Sequence, residues 1–221
     1  RLNYYGVTAL MARVYLCQEN LTDALACAQE VIDSKRFEFM NDSINNVYAY
    51  RNLSYIEKMA RHEYVSSLYV YDLKEGRSDL FFKNLASCEC VIAEGRKASI
   101  YSGMGQDLDI RSKNWFETPA GSATEYVNKY MRGTQIPLLK LSEMYLIAAE
   151  ASGDIRYLET LRANRGYATD PLPAGANLQD EITKEYQKEF IAEGQLFYYY
   201  KRRNMAILPI TSTSMNRATY V

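Results

Sequence analysis

Two stretches of this chain repeat apolar and small residues at helical spacing, and the long stretch between them does not. That partition limits what the chain can fold into. In the first stretch Leu2, Tyr5, Ala9, Ala12 and Leu16 recur at intervals of three and four, the mark of one buried helix face. Glu19-Asn20-Leu21-Thr22-Asp23 breaks the pattern and offers Asn20 or Thr22 as a cap for a second helix. Ala24, Leu25, Ala28, Val31 and Ile32 form the stripe of that helix, which ends near Ser34. Alanines at both sides of the crossing let the helices approach closely. Ala12, Tyr15, Ala24 and Ala28 fall at the spacings of a tetratricopeptide unit.

The pattern returns at Pro137, a residue suited to the first turn of a helix. Leu138, Leu141, Met144, Tyr145 and Ala148 make its stripe, Ser152-Gly153-Asp154 a tight turn, and Tyr157, Leu158, Leu161 and Arg162 a partner helix closed by Gly166. A loop holding Pro171, Pro173 and Gly175 leads to a last long helix, Leu178 to Met205, bent or broken at Gly194. There Ile182, Tyr186, Phe190 and Phe197 are expected inward, and Lys184, Glu185, Lys188 and Glu189 outward. Ile207-Leu208-Pro209-Ile210 starts an extended tail.

Residues 36–134 read as short strands and long loops. Phe37-Glu38-Phe39, Tyr64 to Tyr71, Glu89 to Ala93 and Ala98 to Tyr101 are the expected strands, among Gly76, Gly95, Gly103, Gly105 and Gly121. The expected architecture is therefore mainly α-helical: tetratricopeptide-like helix pairs with an irregular, loop-rich, partly β insert. It is one domain over 1–221, with a helix pair at 1–35, the insert at 36–134, and a helix pair, long helix and tail at 135–221.

Composition narrows the function. Lys and Arg number 26 against 27 Asp and Glu, so the chain lacks the basic excess that holds nucleic acid or an anionic membrane. No apolar run reaches the roughly 18 residues that span a bilayer. Arg1-Leu2-Asn3-Tyr4-Tyr5 has no apolar core or cleavage site of a signal peptide. His62 is the sole histidine and no nucleophile motif accompanies it, so neither triad catalysis nor a zinc site is expected. Gly103-Met104-Gly105 lacks the strand–helix context of a nucleotide loop. The four cysteines, Cys88 and Cys90 among them, read as structural. No catalytic residue, metal or cofactor is expected.

Tyrosine is abundant, at twenty residues. Its ring packs while its hydroxyl stays wet, which suits half-buried binding surfaces as well as cores. Tyr101 to Tyr126 brings Tyr101, Trp115 and Tyr126 together with Gln106, Asp107, Arg111 and Asn114. Rings that stack on sugar C–H faces beside amide, carboxylate and guanidinium groups for the hydroxyls make a glycan surface. The candidate ligand-binding residues are Tyr101, Trp115 and Tyr126, with Arg111 as a hydrogen-bond donor. Trp115 also reads as a core anchor.

Four blocks then resemble one family. Ile136-Pro137-Leu138-Leu139-Lys140-Leu141-Ser142-Glu143-Met144-Tyr145-Leu146-Ile147-Ala148-Ala149-Glu150-Ala151 is similar to the "PLLRLAEMYLIAAEA" helix of the SusD/RagB family, and Glu185 to Arg202 is similar to its "ER..EF..EGQRFFDLKR" block. Ala9 to Leu16 resembles its "ALLARVYL" helix, and Asp109-Ile110-Arg111 its "DxR" ahead of a Lys-Tyr, here Lys129-Tyr130. Tyr186, Leu196 and Tyr199 depart from the family's charged residues. The resemblance implies a SusD-like α-superhelix of which this chain is the C-terminal part. It also implies a non-catalytic lipoprotein of the outer membrane of Bacteroidetes-type bacteria, exposed at the cell surface and held through a lipid anchor upstream of this chain. Such a protein binds glycan or another nutrient and delivers it to a TonB-dependent, SusC-like transporter. Glu143, Glu150, Glu193, Gly194 and Arg202 are implied to be structural. The alternative from the helix pairs alone is an intracellular tetratricopeptide-like adaptor for a protein partner.

Overall fold

Small residues decide the first layer. A computed structural model describes residues 3–39, 61–71, 91–92, 95–101, 109–118, 125–127, 129 and 135–205. Helix α1 spans Tyr4–Cys17, and Asn3 caps it by accepting from the Gly6 N–H at 2.8 Å. Helix α2 spans Leu21–Asp33, capped by Asn20, the first of the two residues its sequence offered. Ala9, Ala12, Ala24 and Ala28 are fully buried where the two helices meet. Helix α3, Arg96–Ile100, and helix α4, Ile110–Asn114, belong to the insert. Helix α5, Leu141–Ser152, lies on α2 and adds Met144, Ile147 and Ala148 to the same core. Arg13 of α1 reaches across to α5, donating to both Glu143 oxygens at 2.6 and 2.7 Å and to the Leu138 carbonyl.

Helix α6, Ile155–Arg162, runs into a π-helical turn, Ala163–Tyr167, instead of stopping at Gly166; that glycine lies inside the turn with φ 107°. The expected long helix is two: α7, Leu178–Glu189, and α8, Gln195–Arg202. Ala192 and Gly194 between them are left-handed, at φ 59° and 74°. A left-handed pair resets the helical phase, so Phe197, expected inward, is exposed, while Tyr199 and Tyr200 are buried. Tyr186 stacks on Tyr199 with ring centroids 4.0 Å apart, in a second core with Leu146, Leu158, Leu161, Ile182 and Phe190. Arg202 clamps Glu150 through two bonds of 2.8 and 2.7 Å, fixing α8 on α5.

Strand β1, Tyr64–Tyr69, follows a 3₁₀ turn at Arg61–Glu63. Strands β2, Val91–Ile92, β3, Phe116–Glu117, and β4, Glu125–Val127, form one sheet in the order β2–β4–β3. Strand β5, Gln135–Lys140, pairs antiparallel with β1, Tyr64 opposite Lys140 and Tyr69 opposite Gln135. This corrects the expected helix start at Pro137: the helix begins at Leu141. Pro137 faces Ser67 beside a shift in register, in a ribbon that is two-stranded among the described residues, where a missing N–H is tolerated. Ala98–Tyr101, expected as strand, is mostly α3. Gly95 at φ 73° turns the chain, and Arg96-Lys97-Ala98 are strong helix formers. Phe37–Phe39 forms no strand, although the Glu38 N–H donates to the His62 carbonyl. The expected tail at Ile207–Ile210, Cys88, Cys90 and the glycines at 76, 103, 105 and 121 lie outside the described residues.

Candidate functional site

The insert is seated on α7 by charge. Glu185, Lys188 and Glu189, expected to face water, are all buried. Ile182, Tyr186 and Phe190 fill one side of the helix and the charged trio fills another, so α7 is covered on both.

Asp109 caps α4 by accepting from the Arg111 backbone N–H at 2.9 Å. It also takes the Arg111 guanidinium through Oδ1 at 3.0 Å and Oδ2 at 2.8 Å. That guanidinium spans to α7, donating to Glu185 Oε2 at 2.9 Å and Glu189 Oε2 at 3.1 Å. Arg165, turned inward by the π-helical turn, donates twice to Glu63 at 2.6 and 2.7 Å and twice to Glu189 at 3.0 and 3.1 Å. Lys140, where β5 passes into α5, donates to Glu189 Oε1 at 3.0 Å and Glu193 Oε1 at 2.8 Å. Ser142 Oγ donates to Glu189 Oε1 at 3.0 Å. Lys129 bonds Glu193 and the Glu189 carbonyl, and its ammonium lies 3.7 Å from the centre of the Trp115 ring. Glu189 is thus the common node of β5, α4, α5 and the π-helical turn.

Burial by itself would raise the Glu189 carboxyl, but Arg165, Lys140 and Arg111 hold it well below the usual carboxylate range. Burial likewise opposes ionisation of Glu185, and Arg111 and Lys188 outweigh it, bringing the group to about 2. Burial opposes the Arg111 charge, and Asp109 and Glu185 more than restore it. The two lysines part company. Lys140, between two carboxylates, is raised against its burial. Lys129 is pushed down to about 8 by burial, with the Lys140 charge adding to that and Glu193 resisting. General acid–base work needs a group free to exchange a proton with a bound molecule. Glu185 and Glu189 are instead locked as anions inside the protein, so this cluster holds structure.

Three of the four candidate ligand residues lie in this junction. Arg111 and Tyr101 are 0% exposed and Trp115 is 2% exposed. The Tyr101 hydroxyl donates to the Lys188 carbonyl at 3.1 Å, and its ring meets Phe116 edge to face. Placed so, neither ring has a face for a sugar, and the Arg111 guanidinium is consumed by carboxylates. Tyr126 sits mid-strand in β4, opposite Val91 and Glu117. The residues implied to be structural have such contacts: Glu143 with Arg13, Glu150 with Arg202, Glu193 with Lys129 and Lys140.

Among the described residues, the aromatic side chains most open to solvent lie elsewhere, Tyr4 at the start of α1 being one. Tyr69 and Tyr71 are 66% and 88% exposed at the end of β1, and Tyr198 on α8 is 67% exposed. Across from Tyr69 is Gln135, whose side chain accepts from Ser67 Oγ at 3.3 Å. The two-residue spacing of Tyr69 and Tyr71 was visible in the expected strand; their exposure was not. Among the described residues no group of His, Cys, Asp and Glu could hold a metal ion, and no helix is long and apolar enough to cross a membrane.

No protein-family model matches the sequence, and no curated protein matches it. Solved structures do match. A protein named "putative sugar binding protein" from Bacteroides vulgatus ATCC 8482 superposes with a TM-score of 0.68 at 23% identity, over 97% of this chain and 52% of that one. A SusD superfamily protein from Bacteroides thetaiotaomicron VPI-5482 gives a TM-score of 0.62 at 21% identity over 99% and 53%. One from Parabacteroides distasonis ATCC 8503 gives 0.62 at 14% identity over 91% and 52%. The chain has the fold of SusD superfamily proteins and spans about half the length of the structures it matches.

Proposed function

We propose that this chain, folded as SusD superfamily proteins are, is part of a non-catalytic binding protein for glycan or another nutrient. In this reading it sits at the cell surface, on a lipid anchor outside these residues, and passes its ligand to a SusC-like, TonB-dependent transporter of the outer membrane. The observation that carries the reading is the superposition on a putative sugar-binding protein over 97% of the chain.

Within this reading the residues fall into two roles. Tyr101, Trp115 and Arg111 act on binding by holding the insert on α7. Direct stacking falls to exposed rings, Tyr69 and Tyr71 first, with Gln135 beside them for hydroxyl groups. Affinity electrophoresis against a panel of polysaccharides tests this. The expected result is retardation by one glycan, lost in Tyr69→Ala/Tyr71→Ala with the fold intact by circular dichroism. Shallow stacking sites bind in the range of about micromolar to millimolar Kd. Retardation that survives the double variant moves the site away from β1, and release of sugar products would replace the binding reading with a hydrolase.

A further inference from the structure

Lys129 and Lys140 compete for the same two oxygens. Both donate to Glu193 Oε1 and both to the Glu189 carbonyl, which brings two buried ammonium groups together. Like charges so placed disfavour each other. The two lysines are not equal, however. Lys140 also donates to Glu189 Oε1 at 3.0 Å, so its three N–H groups all have oxygen partners and two carboxylates share its charge. Lys129 gives two N–H groups to oxygens. Its third is left for Trp115, whose ring centre lies 3.7 Å from the nitrogen. A neutral amine keeps two N–H groups and gains a lone pair. Lys129 can therefore lose a proton and keep both oxygen contacts, whereas Lys140 cannot keep all three of its own. What Lys129 loses is the charge that holds the ring.

We infer that Lys129 is a proton-operated latch of the insert: charged, it clamps the Trp115 ring towards the turn between α7 and α8; neutral, it lets the ring go. The proton passes to water and no covalent bond changes. The inference concerns the seating of the insert and does not rest on the ligand reading. Trp115 immediately precedes β3 and Lys129 follows β4 by two residues, so the latch sits at one end of the β3–β4 pair and ties that end to α7. The groups that face the ammonium are Glu193 from the α7–α8 turn, Glu189 from α7, Lys140 from the end of β5, and the Trp115 ring. Glu189 is held well below the usual carboxylate range and Lys140 is raised, so neither changes charge in mildly alkaline water. Burial, with the Lys140 charge adding to it, brings Lys129 down to about 8.

Protein carrying ¹³C at the lysine Cε positions tests this, because each Cε signal shifts as its own nitrogen titrates. One lysine signal should move with a midpoint of about 8 and be missing from Lys129→Met, while the others move near or above the ordinary value of about 10.4. An α-amino group also titrates near about 8, but it gives no lysine Cε signal. Emission from Trp115, the single tryptophan, should change over the same pH range and stay level in the variant. Lys129→Met leaves Glu193 to Lys140, so circular dichroism should be unchanged. If that variant does not fold, Lys129→Arg replaces it, since a guanidinium keeps its charge throughout the range; the step in Trp115 emission should again vanish. Lys140→Met removes the competing charge and should move the Lys129 midpoint upward. The inference is overturned if no lysine signal moves below about pH 9, or if the early signal survives replacement of Lys129. It is equally overturned if Lys129 titrates and Trp115 emission does not follow it.

Discussion

Around Ala12 this protein buries methyl groups; around Glu189 it buries charge. The α1–α2 contact joins neighbouring helices through small, fully buried side chains. The junction of the insert with α7 joins distant segments through guanidinium, ammonium and carboxylate groups that have lost their water. The two contacts fail in different ways. An apolar contact weakens in proportion to what is removed or forced in. A buried ion cluster is close to neutral in net stability when complete, yet strongly destabilised when one partner goes, because the others stay buried without a counter-charge. The alanine layer therefore gives stability in small increments, and the ionic junction gives an all-or-none specification of where the insert sits.

The sharpest way to break this contrast is Arg111→Met, which takes the guanidinium from buried Asp109 and removes one of the cations that face Glu185 and Glu189. It is expected to cost about 3–5 kcal/mol, read as a lower urea midpoint, with emission from Trp115 changing ahead of the helical circular dichroism. A loss under about 1 kcal/mol would mean that water or another cation already shares the site.

Acid is the next largest perturbation. The Glu185 carboxyl titrates at about 2 in the folded protein against an ordinary value of 4.5. Its contribution of about 3 kcal/mol is therefore present above pH 4.5 and lost as the pH falls towards 2. Trp115 fluorescence, followed from neutral pH downward, should report the junction opening across that window. Lys129 has the opposite sign. Held at about 8 against 10.5 unfolded, it penalises folding below pH 8, and the penalty fades as the pH rises to 10.5.

Ala12→Leu probes the other region. The three added carbons have no room where Ala12, Ala24 and Ala28 are fully buried. The expected cost is about 1–3 kcal/mol, seen in a thermal melt, with no dependence on salt or pH. The smallest effect is Asn20→Ala, which removes the α2 cap and should cost about 1 kcal/mol; a melt of the variant checks it.

The two regions also differed in legibility. The α1–α2 pair could be read residue by residue, since Ala9, Ala12, Leu16, Ala24, Ala28 and Val31 recur at local spacing and all are buried. The turn at Asn20 was equally plain. The junction was not legible, because a charge that will be buried looks the same in a sequence as one that stays wet. Glu185, Lys188 and Glu189 were expected in solvent because their partners lie far along the chain. For the same reason Tyr101, Trp115 and Arg111 pointed to a ligand surface: residues that grip a sugar and residues that grip a carboxylate are the same types. Pro137 misled in another way, since a residue that opens helices is also at home beside an irregularity in strand pairing.

The node at Glu189 also bears on the order in which this chain folds. Arg111 meets Glu189 across 78 residues and Arg165 meets Glu63 across 102, whereas α1 and α2 are joined by a three-residue turn. Long closures come late because their entropy must be met before any contact rewards it. The helix pairs can form while the carboxylates of α7 are still hydrated, and dehydration of the junction is then the closing event. Refolding should accordingly show two clocks: an early gain of helical ellipticity, and a slower change in Trp115 emission as the last water leaves.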